Sequence, residues 1–125
     1  MSVFDKEFDE LVHFARLKKT PGAYFGKASL LSLRDNLFGM SEAFSYCHCE
    51  DNLKYFHSFI QWYNETVLDD KNGYACWWNH ILYTSGNNDE LAFDAFFRKF
   101  EEYLNDIHGL GLPEVDWPPY SKKTK

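Results

Sequence analysis

The residues best suited to chemistry are the cysteines and histidines in the middle of the chain. Cys47, His48 and Cys49 are consecutive, and His57 follows ten residues after Cys47. Thiolate and imidazole are the ligands that zinc prefers, but a structural zinc site usually has two ligand pairs, each with about two to four intervening residues. Cys47 and Cys49 are separated by one residue, which on a regular helix would place them about 200° apart. The sequence therefore predicts reduced, core or boundary cysteines that do not bridge one another, and no metal site.

Catalysis by acids, bases or nucleophiles is not indicated either. No family-type motif surrounds any of the three cysteines, and sequence proximity does not pair one of them with any of the five histidines,. Paired carboxylates such as Asp69 with Asp70 occur at turns or helix starts, where they complement helix dipoles and aid solubility,. Phosphate-binding loops, the dinucleotide fingerprint and the zinc-protease motif are absent from the sequence,. We therefore expect a protein that is not an enzyme and needs no cofactor.

The elements that would position these side chains are helices, because apolar residues recur with a helical period along most of the chain,. Five helices are predicted, approximately over residues 2–19, 29–47, 51–67, 74–84 and 89–108. Residues 20–27 contain a Pro-Gly pair and are predicted to form a turn or an extended stretch,. The expected N-caps are Ser29 and one of residues 87–89,. The expected helix ends are at Gly86 and Gly109,.

The second and the last predicted helices have long apolar faces that should form the core. In the second helix the apolar stripe is Leu30, Leu33, Leu37, Met40, Phe44 and Cys47, widened by Leu31 and Phe38. In the last helix Phe93, Phe97, Phe100, Leu104 and Ile107 are expected to face the core, while Leu91, Ala92, Ala95, Phe96, Lys99 and Tyr103 form an edge,. The predicted fold is all-α: one compact domain of about five helices over residues 1–112, with an extended Pro-rich tail over residues 113–125. Trp117 is a candidate for docking that tail onto the bundle.

The net charge of the chain indicates which kind of partner it can bind. The chain of 125 residues has 19 acidic and 13 basic residues, a net charge of −6. Three of the lysines lie in the last four residues, so the rest of the chain has 10 basic against 19 acidic residues, or −9. Such a field repels nucleic acid and attracts basic surfaces. No secretory leader or membrane-spanning run is visible,. We expect a cytoplasmic protein with a basic protein partner and with no direct nucleic-acid or membrane binding.

The aromatic content indicates where that partner would bind. The 12 Phe, 8 Tyr and 4 Trp residues exceed what the predicted core faces can bury. Aromatic rings surrounded by carboxylates are suited to anchoring a basic protein. The predicted partner-binding residues are Asp69, Asp70, Tyr74, Trp77, Trp78, Asp89 and Glu90. A core that is simply rich in aromatic residues is the structural alternative for each ring.

The sequence also carries a resemblance to a class of bacterial proteins. The segment Lys-Thr-Pro-Gly-Ala-Tyr-Phe-Gly-Lys-Ala-Ser-Leu-Leu-Ser-Leu at residues 19–33, a Trp-Trp pair before Ile81 and Leu82, and the segment Asp-Glu-Leu-Ala-Phe-Asp-Ala-Phe-Phe at 89–97 carry it. Over residues 10–105 the chain resembles small acidic immunity proteins of polymorphic or contact-dependent toxin systems. The resemblance implies a helical inhibitor that binds a cognate toxin domain, often a nuclease, and blocks its active site. The Cys-His-Cys segment and the Pro-rich tail depart from that pattern.

Two other functions remain open from the sequence. One is a small helical ligand-binding or catalytic domain that uses His80, Cys76 or the Cys47–Cys49 region in an aromatic pocket. The other is a general protein-interaction module without a toxin partner.

Overall fold

The structure, a computed structural model, describes residues 8–68 and 76–115. Within these ranges it contains six α-helices and two short helical turns, and no strand. In chain order they are α1 (Glu10–Lys19), α2 (Pro21–Phe25), α3 (Leu30–Tyr46), a 3₁₀ turn (Glu50–Leu53), α4 (Lys54–Thr66), α5 (Trp77–Thr84), α6 (Asp89–Tyr103) and a π-helical turn (Leu104–His108). The protein is a single all-α domain, as predicted. None of the described helices combines the length and the apolarity needed to cross a membrane.

Helix α6 lies at the centre of the domain and contacts α3, α4 and α5. Its buried residues are Ala92, Phe93, Phe96, Phe97, Phe100 and Tyr103, followed by Leu104 in the π-helical turn. Phe14 of α1 packs on Phe100 with ring centroids 4.5 Å apart. The predicted core face was wrong in part, because Phe96 and Tyr103 are buried while Ile107 is 54% exposed. A helix surrounded by three others buries more than one stripe, which a single periodic face does not describe.

The predicted helix caps are confirmed. Ser29 Oγ accepts a hydrogen bond from the backbone N–H of Ser32 at 3.1 Å, at the start of α3. Asn88 Oδ1 accepts one from the N–H of Leu91 at 3.0 Å, at the start of α6. Gly86, with φ of 70°, follows the end of α5. Side-chain caps and left-handed glycines satisfy helix ends locally, so these boundaries could be predicted from short stretches of sequence.

Two predicted boundaries near the N-terminus were wrong. Asp9 is extended and its Oδ1 accepts from the N–H of Val12, so α1 begins at Glu10 and is not continuous with a helix from Ser2. The preceding residues 1–7 lie outside the described ranges. Residues 21–25, predicted to be a turn or extended, form the short helix α2, because a proline at the first helical position fits the helix backbone,.

A buried carboxylate joins α1 to α4. Glu10 is 7% exposed, and its Oε1 and Oε2 accept hydrogen bonds from the backbone N–H groups of Tyr55 at 2.9 Å and Phe56 at 2.7 Å. Leu53, the residue before α4, provides no side-chain cap. Glu10 therefore caps α4 from a distant part of the chain.

The chain after the π-helical turn has no regular structure as far as residue 115. Leu112 packs against the core, and Lys19 Nζ donates to the carbonyl oxygen of Val115 at 2.6 Å. Of the predicted tail, residues 116–125, including Trp117, lie outside the described residues.

Candidate functional site

Trp77, one of the predicted binding residues, is part of the core. It is 4% exposed, and its ring lies against Phe56 and Phe96, each with ring centroids 5.6 Å away. Because its surface is already buried between α4 and α6, we leave Trp77 out of the candidate binding surface.

Trp78 lies about 100° further around α5, where it meets Arg34 of α3,. It is half-buried, and the guanidinium carbon of Arg34 lies 4.4 Å from the centre of its ring. Arg34 also forms an ion pair with the exposed carboxylate of Asp35, with Nη2 and Oδ1 2.8 Å apart. The cation–π contact and the ion pair hold Arg34 and Trp78 in a defined arrangement at the surface.

Asp89 ties the start of α6 to the start of α3. Its Oδ2 accepts from the hydroxyl of Ser29 at 2.5 Å, and its Oδ1 accepts from the N–H of Leu31 at 3.0 Å. Asp89 therefore has a structural role that the sequence analysis did not assign. Glu90, the next residue, is exposed. The remaining predicted residues, Asp69, Asp70 and Tyr74, lie outside the described ranges.

Two exposed apolar side chains accompany these residues and were not predicted as binding residues. Phe38, expected to widen the core face of α3, is instead 46% exposed, one turn after Arg34. Leu91 is exposed beside Glu90. We call Arg34, Asp35, Phe38, Trp78, Glu90, Leu91 and Asp94 the acidic aromatic surface; the bonds of Asp89 to Ser29 and Leu31 join the starts of α3 and α6, and Trp78 of α5 contacts Arg34 of α3.

Charge is segregated between this surface and the N-terminal helices. Residues 11–27 contain four basic residues and no acidic one. By contrast, α3, α5 and residues 89–97 contain five acidic residues, Asp35, Glu42, Asp89, Glu90 and Asp94, and one basic residue, Arg34. Five negative charges against one positive charge give these helices a net charge of −4. A basic partner would be attracted to them in preference to α1 and α2.

The cysteine segment has a geometry that the sequence analysis did not predict. Helix α3 ends at Tyr46 and does not include Cys47, which is exposed instead of completing the core stripe. The Sγ atoms of Cys47 and Cys49 lie 2.7 Å apart, so the prediction that the two thiols point in opposite directions was wrong. The ring of His57 pairs with Ser41, since its Nε2 lies 3.1 Å from the Ser41 hydroxyl oxygen. No three His, Cys, Asp or Glu side chains among the described residues converge as a metal site requires.

A second candidate site is a cleft of about 500 Å³ bordered by α4, α5 and α6. Tyr63 and His80 line it, with the phenol oxygen 2.8 Å from His80 Nδ1. Burial raises the pKa of Tyr63 to about 12, so the phenol is protonated at neutral pH,. Lys99, also in the cleft, pairs with Glu102 at 3.2 Å. The arrangement can hydrogen-bond a small polar ligand.

Comparisons with family models, with curated proteins and with solved structures gave no match.

Proposed function

We propose that the protein is an immunity protein that binds a cognate bacterial toxin and occludes its active site, with a nuclease domain as the toxin. The observation that supports this proposal most is the acidic aromatic surface, which combines the exposed carboxylates of Asp35, Glu90 and Asp94 with two exposed apolar side chains and the half-buried Trp78. The resemblance of residues 10–105 to immunity proteins agrees with it.

The electrostatics of that surface suit a nuclease partner. A nuclease needs basic side chains to hold phosphates, and carboxylates such as Glu90 and Asp94, one helical turn apart on α6, can take the place of phosphates,. Complementary charge accelerates association at low salt and has less effect as salt screens it.

The apolar residues would supply contact area between the charges. Phe38 and Leu91 are exposed, and Trp78 is held by Arg34, so it loses little side-chain freedom when a partner binds,. Aromatic residues and arginine are the types most often found at the energetic centre of protein interfaces. We therefore expect Phe38 and Trp78 to provide much of the affinity, and the carboxylates to increase the rate of association.

The test uses the protein domains encoded by the genes beside this one, with binding measured by calorimetry and protection measured in cells that express each domain. Phe38→Ala should weaken binding at least tenfold. The double change Glu90→Lys and Asp94→Lys should slow association and abolish most of its salt dependence.

Matched control variants lie in the π-helical turn that follows α6. Ile107→Ala removes a similarly exposed apolar side chain, and Asp106→Lys reverses an exposed charge about 24 Å along the helix from Glu90,. Both should leave affinity unchanged. The proposal is wrong if the protein gives no protection against any neighbouring toxin domain, or if the control variants weaken binding as much as the surface variants do.

The cleft provides the alternative, a ligand-binding domain, because Tyr63 and His80 form a defined hydrogen-bonding pair in it. Tyr63→Phe removes the phenol hydroxyl while keeping the ring. Binding of a small polar ligand that is weakened in this variant and unchanged in Phe38→Ala would favour the cleft as the functional site.

A further inference from the structure

The segment between α3 and α4 brings two thiols into contact. After Tyr46 the chain leaves the helix, and His48 adopts a left-handed backbone with φ of 61°. This places the Sγ atoms of Cys47 and Cys49 2.7 Å apart. Carbon atoms that pack without a bond usually approach to about 3.5–4.0 Å, sulfur is larger than carbon, and a disulfide has sulfurs about 2.05 Å apart. The two sulfurs are therefore closer than ordinary packing would bring them.

The two thiols differ in access. Cys47 is exposed, whereas Cys49 is buried at 7% exposure and packs with the core. The backbone around them is anchored: the N–H of Cys49 donates to the carbonyl of Phe44 at 2.7 Å, and the carbonyl of Cys49 accepts from Asn52 at 2.9 Å. A reagent in solution can reach Cys47 first, with Cys49 held beside it.

We propose that Cys47 and Cys49 form a redox-active dithiol that closes reversibly to a disulfide by exchange with a small-molecule disulfide such as oxidised glutathione. The thiolate of Cys47 attacks one sulfur of the oxidant, which forms a mixed disulfide and releases one small thiol. The thiolate of Cys49 then attacks the Cys47 sulfur and releases the second small thiol. The protein loses two protons and two electrons, and one small disulfide is reduced to two thiols.

The disulfide would be readily reduced. Its ring encloses one intervening residue, so it has little loop entropy to gain, and one of its two sulfurs is exposed,. Strained or exposed disulfides are more oxidising than structural ones. Closure would fix the segment between exposed Tyr46 and the acidic 3₁₀ turn that begins at Glu50. Transient closure of this kind is compatible with a reducing compartment.

The experiment is a titration of the purified full chain with mixtures of reduced and oxidised glutathione, stopped with acid and analysed by intact mass and peptide mapping. Cys76→Ser is the parent variant, because it removes the third, exposed thiol. The expected product has lost two hydrogens and contains a Cys47–Cys49 crosslink. It should form only in mixtures more oxidising than those that maintain structural disulfides, and dithiothreitol should reverse it.

A second variant identifies the order of attack. In Cys49→Ser the resolving thiol is gone, so glutathione should remain attached to Cys47. Circular dichroism of each variant checks that the helices are retained. Glutathione remaining on Cys47 in the parent, a crosslink between two chains, or no reaction at Cys47 while Cys76 of the wild-type chain is glutathionylated would each overturn the proposal.

Discussion

The buried carboxylate of Glu10 should make the stability of the protein depend on pH. Burial raises the pKa of Glu10 from its ordinary value of 4.5 to about 7,. The backbone N–H groups of Tyr55 and Phe56 and the charge of Lys54 oppose that rise, and the charge of Asp9 adds to it. Between pH 4.5 and about pH 7, the folded protein therefore keeps a proton on Glu10, whereas the unfolded chain has released it.

The magnitude follows from the two pKa values. A difference of about 2.5 between the folded and unfolded states corresponds to about 3 kcal/mol, at about 1.4 kcal/mol for each pKa unit. Because the folded-state pKa is the higher one, the stabilising contribution is complete below pH 4.5 and is lost as the pH rises through 7. Above that range Glu10 makes no further change to the free energy of unfolding.

Glu10→Gln isolates this effect. The amide keeps one oxygen for a backbone N–H but does not ionise, so the free energy of unfolding of the wild type minus that of the variant should fall by about 3 kcal/mol between pH 4.5 and pH 8. The measurement is urea denaturation followed by far-UV circular dichroism at intervals across this range.

The control is Glu90→Gln, the same substitution at an exposed carboxylate, which should stay within about 0.5 kcal/mol of the wild type,. Parallel pH curves for the wild type and Glu10→Gln would refute the claim that desolvation dominates at Glu10. A wild type that gains stability over the variant as the pH rises would show that the two N–H donors outweigh burial.

Three further predictions concern stability and are measured by the same urea denaturation at pH 7. Phe100→Ala leaves a cavity at the centre of the core and should cost about 3–5 kcal/mol,; a loss below 1 kcal/mol would contradict the central position of α6. Asp89→Ala should lower the free energy of unfolding by about 1–3 kcal/mol,. A double-mutant cycle with Ser29→Ala should give a coupling energy above about 0.5 kcal/mol, whereas additive losses would show that the contact contributes little. Gly39→Ala, at an open helical position, should stabilise by about 0.5–1 kcal/mol, while Gly86→Ala, at φ of 70°, should destabilise by about 1 kcal/mol; equal effects would contradict the two backbone conformations,.

The helix boundaries that could be predicted from the sequence are those set by local chemistry. Ser29, Asn88 and Gly86 satisfy helix ends with their own side chains or backbone, so a few neighbouring residues are enough to identify them. The cap of α4 could not be found in this way, because its acceptor, Glu10, is 45 residues away from Tyr55 in the chain. Capping from a distance requires the tertiary arrangement of α1 and α4.

The cysteine pair shows how one boundary changes a chemical conclusion. A helix continuing through Cys49 would separate the two thiols by about 200°, which favours inert cysteines. In the structure α3 stops at Tyr46, and the left-handed residue His48 brings both sulfurs to the same side. The spacing was informative only together with the position where the helix ends, and that position has no strong signal such as glycine or proline in the sequence.

The two adjacent tryptophans show why the binding surface could be predicted only in part. Trp77 and Trp78 are about 100° apart on α5 and have similar sequence surroundings,. The rotation of α5 in the bundle places Trp77 against Phe96 of α6 and Trp78 under Arg34 of α3. Of the carboxylates in this surface, the sequence predicted Glu90 as a binding residue and did not predict Asp35 or Asp94. Charged side chains remain exposed in most packings, so exposure alone does not indicate which of them share a surface. That grouping, and which tryptophan joins it, depends on helix packing.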